Sequence, residues 1–141
     1  MSLTNPDRKA PTGRIALAAI VTLIVAVVGN LILGLLATSL LDIPAEFEPM
    51  IPLRYSFLTV MGVLGGIAVF LYMTRKSGKS ARAFQRIAWI TLALSMVPTL
   101  GLYFSQVMPG TTLPGVLVLM LMHVVAALPV IYILPAYSRA K

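Results

Sequence analysis

The chain carries a single histidine, His123, and it stands in the middle of an uncharged apolar stretch. An ionisable side chain inside a membrane-length apolar segment marks a functional site by default, because its desolvation has to be offset by a partner or a use. A neutral imidazole there can bind a small ligand, pass a proton, or tie two helices together. Asn30, Ser95 and Thr99 are polar side chains at comparable depth in their own apolar stretches. Counted from the outer end of each stretch at about 1.5 Å per residue, these positions reach one level, beside the small-residue notch of Gly62 and Gly66. Such a layer has two uses. It can pin helix register through hydrogen bonds worth about 0.6 kcal/mol each in a bilayer, or it can line a midplane pocket for a small molecule.

More demanding chemistry finds no residues. The chain has no cysteine, which removes thiolate metal sites, disulfides and cysteine nucleophiles. Bis-histidine haem ligation needs a second His, which only a symmetric oligomer could supply. Met61, Met96, Met120 and Met122 could conduct Cu(I) through their thioethers, but methionine is also ordinary packing in apolar helices, so no metal or cofactor is expected. Ser95 and His123 lack an orienting carboxylate, since none of the four acids lies inside an apolar stretch. The same lack argues against a proton-coupled carrier. Asp42, Glu46 and Glu48 share a proline-rich loop whose spacing matches no calcium-loop template, and a solvated loop is expected. Gly78-Lys79-Ser80 is not a phosphate loop, because Met73 occupies the position of its leading glycine. No enzyme is expected.

The elements that must position these residues are membrane helices. With 59% hydrophobic and 11% charged residues, the chain departs far from the roughly 45–50% and 25% of soluble domains. Four apolar spans are predicted at 15–41, 53–73, 87–108 and 113–137, giving an all-α, integral membrane, up-down four-helix bundle in one domain. The first span is too long for a cleaved signal sequence. Ala18, Thr22, Ala26, Asn30, Gly34 and Thr38 recur at every fourth position, stacking small and polar side chains on one face. Gly62 and Gly66 form a small-xxx-small pair on the second span. Pro98 is expected to kink the third span, and Pro129 and Pro135 to interrupt the fourth. The uncharged turn at 109–112 makes the last two spans antiparallel neighbours, with Thr111 or Thr112 as helix cap.

The net charge of +7 matters by its placement. Arg75, Lys76, Lys79, Arg82 and Arg86 crowd the central loop without an acid. Together with Arg8, Lys9 and Arg14 in the 1–14 tail and Arg139 and Lys141 in the 138–141 tail, they leave only Arg54 of eleven basic residues on the other side. By the positive-inside rule both tails and the central loop are cytoplasmic, in an inner membrane. The basic loop should attract anionic lipid headgroups, at about 1 kcal/mol per residue near the surface. Nucleic acid is not an expected partner.

The third span, with Ser95-Met96-Val97-Pro98, and the fourth, with Met122-His123-Val124-Val125-Ala126-Ala127, resemble an uncharacterised family of bacterial four-span membrane proteins, a domain of unknown function. The resemblance covers the spans and not the N-terminal tail. It implies a bacterial inner-membrane protein with no assigned activity, and it carries over no catalytic residue. The expectation is therefore a non-enzymatic structural or interaction protein, or an accessory subunit. It would associate with its own copies or another membrane protein through the faces of Asn30 and Gly34 and of Gly62 and Gly66. The alternative is a small-molecule binding or transport protein with a midplane pocket centred on His123. Geometry separates the two: a cavity reaching His123 favours binding, whereas a dry His123 bonded to Asn30 or Ser95 favours packing.

Overall fold

The computed structural model describes residues 12–76 and 80–138, and all regular structure among them is helical. Helix α1 is Thr12–Leu40, α2 is Pro52–Leu71, α3 is Ala81–Ser105 and α4 is Leu113–Ser138. Each is long and apolar enough to cross a membrane. A 3₁₀ turn, Glu48–Met50, precedes α2, and a π-helical stretch, Tyr72–Lys76, prolongs it.

α4 lies at the centre. It packs most extensively on α1 and then on α3, and less on α2; α2 packs on α1 but scarcely on α3. The helices thus follow one another as α3, α4, α1 and α2 around an incomplete ring, and the α2–α3 seam stays open. Small residues explain the tight α1–α4 contact, since they let helix backbones approach. α1 buries Ala18, Thr22, Ala26, Asn30 and Gly34, and the buried line shifts to Ala37 at its C-terminal end. A methyl group on Gly29 would lie 2.8 Å from a Val125 methyl. Leu17, Ile20, Ile24 and Ile32 on α1, Phe57 and Leu58 on α2, and Leu94 and Val97 on α3 point outward, where hydrocarbon is their solvent.

Two packed clusters close the ends of the bundle. At the basic end Phe70 and Phe84 meet edge to face at 5.0 Å, beside Met73 and Leu134. At the opposite end Phe47, from the proline-rich loop, plugs the bundle with Met50, Tyr55 and Val116. Glycines make room for that plug. Gly110 takes a left-handed φ of 69°, and a Cβ there would lie 2.9 Å from the Phe47 backbone nitrogen. A Cβ on Gly115 would lie 2.9 Å from the Phe47 ring. In the same loop Glu48 pairs with Arg54 at the surface.

Helix termini follow their caps. Ser80 accepts from the Ala83 N–H, so α3 begins at Ala81, and Arg82 and Arg86 stand exposed on its first turns. Arg75 is exposed at the end of the π-helical stretch; Lys79 and the Lys76 side chain lie outside the described residues. So do residues 1–11 and 139–141, with the basic tail positions they contain. Thr112 caps α4 by accepting from the Gly115 N–H at 3.3 Å, while Thr111 donates to the Met108 carbonyl.

Proline is handled differently from expectation. Pro129 and Pro135 do not interrupt the fourth helix: α4 is continuous through both, as α3 is through Pro98. Neighbouring groups can satisfy a carbonyl that proline leaves without its helical donor. For Pro135 that carbonyl belongs to Ile131, and the Gln85 amide of α3 donates to it at 3.1 Å.

Candidate functional site: an intramembrane cleft

The open α2–α3 seam is a cleft of about 770 Å³, within the usual range of small-molecule sites. Its walls are the facing sides of α2 and α3, its floor is α4, and Asn30 reaches in from α1. Pro49 and Met108 stand at the end away from the basic loop, Phe84, Ile87 and Ile131 at the basic end. Among the described residues, no Asp, Glu, Lys or Arg lines it. Most of its polar residues gather from its middle toward the end away from the basic loop, Asn30, Tyr55, Thr59, Ser95, Thr99 and His123, with Thr91 nearer the basic end.

The hydrogen bonds decide what each of these can offer. Thr59 donates its hydroxyl hydrogen to the Tyr55 carbonyl at 2.7 Å, so its oxygen is free to accept from Asn30 Nδ2 at 2.8 Å. That pair fixes the Asn30 amide and leaves its Oδ1 buried without a partner. The Tyr55 hydroxyl is likewise buried and unpartnered. Buried acceptors of this kind are costly, and each calls for an explanation. His123 Nδ1 lies 2.7 Å from the Leu119 carbonyl of its own helix. Because a carbonyl can only accept, Nδ1 carries the hydrogen and the neutral ring's Nε2 is an acceptor. Nε2 has no protein partner and is not among the enclosed polar atoms.

All four residues of the expected polar layer therefore line one cleft, but none of their side chains bonds to another of the four across a helix interface. Ser95 donates to the Leu92 carbonyl at 2.7 Å and Thr99 to the Ser95 carbonyl at 3.0 Å, each within its own helix. Asn30 chooses Thr59 instead of His123 or Ser95. Thr59 and Tyr55 are the cleft residues that sequence reasoning passed over. Their signal was present as a shared α2 face, Tyr55, Thr59 and Val63 at four-residue spacing, all buried.

The glycines divide by role. A Cβ on Gly34 would lie 2.5 Å from the Tyr55 hydroxyl and 3.0 Å from Met122 Cε, so Gly34 admits the tyrosine. Gly66 meets Val130, with 2.8 Å from its ideal Cβ to a valine methyl. Gly62 and Gly65 have nothing within 4 Å and widen the cleft.

The model of a family of unknown function, DUF6069, matches residues 7–140, and the chain belongs to that family. No curated protein and no solved structure matches it.

Proposed function

We propose that this four-helix membrane protein of a family of unknown function binds an apolar small molecule in the α2–α3 cleft, admitted sideways from the bilayer. The observation that carries this reading is the cleft itself: an apolar trough that reaches His123 and leaves Nε2 without a protein partner. A packing role for His123 would pair it across a helix interface, whereas its bond stays within α4. The basic end, with Arg75, Lys76, Lys79, Arg82 and Arg86, faces the cytoplasm of an inner membrane and holds anionic headgroups there. No catalytic residue is assigned.

The test is to purify the full chain in native-membrane nanodiscs and identify bound molecules by native mass spectrometry. Gly62→Leu with Gly65→Leu fills the cleft from positions where a Cβ meets nothing. Wild type is expected to retain a bound apolar molecule, and the double variant to lose it at unchanged thermal stability. An identical bound population in both would overturn the reading.

A second reading places a partner's helix, or one from another copy, in the same seam, against the open Gly62 and Gly65. The chain has no cysteine of its own, so Gly62→Cys reports alone. Efficient disulfide crosslinking through it in membranes, with no retained small molecule, supports this reading over the first.

A further inference from the structure

Resting on the binding reading above, we infer that the cleft's ligand is an uncharged amphiphile whose hydroxyl group donates to His123 Nε2, its apolar body running toward Phe84 and Ile131. The direction comes from the distribution of lining groups. Most of the polar set sits from the middle outward, while the basic half, with Val69, Ile87, Ala88 and Val130, is apolar apart from Thr91. From Phe84 to Leu102 the α3 wall runs about 27 Å at the α-helical rise, room for a long chain.

The headgroup chemistry comes from complementarity. His123 Nε2 faces the cleft as an acceptor without a protein partner, and a ligand that only accepts leaves it unmet. A hydroxyl donates to it, whereas Asn30 Oδ1 and the Tyr55 hydroxyl are enclosed by protein and out of a ligand's reach. A carboxylate, phosphate or amine headgroup at His123 would lie desolvated with no opposite charge, since no charged residue among the described residues lines the cleft.

The probes are oleyl alcohol, its methyl ether and oleic acid, titrated against the full chain in nanodiscs. The ether keeps the chain and the oxygen but cannot donate. Wild type is expected to bind the alcohol about tenfold more tightly than the ether, the weight of one hydrogen bond to a buried acceptor, and more tightly than the acid. His123→Phe should erase the alcohol's advantage while leaving ether affinity unchanged. Equal binding of alcohol and ether, or tightest binding of the acid, overturns the hydroxyl inference and leaves apolar binding standing. If none of the three binds, both readings fall. The wild-type series decides even if His123→Phe does not fold.

Discussion

Gly62 and Gly66 belong to one small-xxx-small motif on one helix, and the structure assigns them opposite fates under the same substitution. At Gly66 an ideal Cβ lies 2.8 Å from Val130 Cγ1 and 3.6 Å from Cγ2. Unstrained carbon–carbon contact is about 3.5–4.0 Å, so Gly66→Ala demands that something yield by roughly 0.7 Å or more. Val130 is 7% exposed and sits mid-helix on α4. A valine in a helix has one strongly preferred rotamer, so it cannot swing clear. α2 must then move off α4, at a cost of about 1–3 kcal/mol for overpacking of this kind. At Gly62 nothing lies within 4 Å, and Gly62→Ala should stay within about 0.5 kcal/mol of wild type. The assay is reversible unfolding in mixed micelles, followed by circular dichroism, for Gly62→Ala, Gly66→Ala and Gly66→Ala with Val130→Ala. The last variant removes both methyls that obstruct Gly66, so the coupling between the two positions should be favourable. Equal destabilisation at Gly62 and Gly66, or no coupling to Val130, would refute the assignment of Gly66 to the α2–α4 contact.

Other substitutions probe other parts of the bundle. Gly34→Ala drives a methyl into the Tyr55 ring end and Met122, both buried, and should cost about 1–3 kcal/mol; Tyr55→Leu in the same chain should recover part of it in the same unfolding assay. Gln85→Leu removes the donor to the Ile131 carbonyl and should cost about 1 kcal/mol, read as faster hydrogen exchange around Pro135; unchanged exchange there would show that Gln85 does not serve that carbonyl. Gly110→Ala forces a side chain onto a φ of 69° and against the Phe47 backbone. It should cost about 1–2 kcal/mol through the left-handed conformation alone and expose the loop around Phe47 to limited proteolysis.

The sequence by itself determined the helices and their membrane length, because a run of apolar residues without charge has few ways to satisfy its backbone in hydrocarbon except as a helix. It also determined the buried line of α1, since Ala18, Thr22, Ala26, Asn30 and Gly34 lie one above another at helical spacing. Asn30, Ser95, Thr99 and His123 were legible as residues to watch for the same reason: polar groups stand out in such spans. Which of them would bond to which was not. In a bilayer the outward face of a helix is as apolar as the inward one, so nothing in α2 or α3 announces which side is turned to a neighbour. The rotation and height of each helix against the others decided that Asn30 meets Thr59, that His123 turns its Nδ1 back to Leu119, and that Gly66 touches Val130 while Gly62 touches nothing. Only the tertiary structure could leave the α2–α3 seam open. That seam is a difference between how closely pairs of helices approach, set by small residues on α1 and α4 and by the packing of Gly110 and Gly115 on Phe47 at the end away from the basic loop, and no single segment contains it.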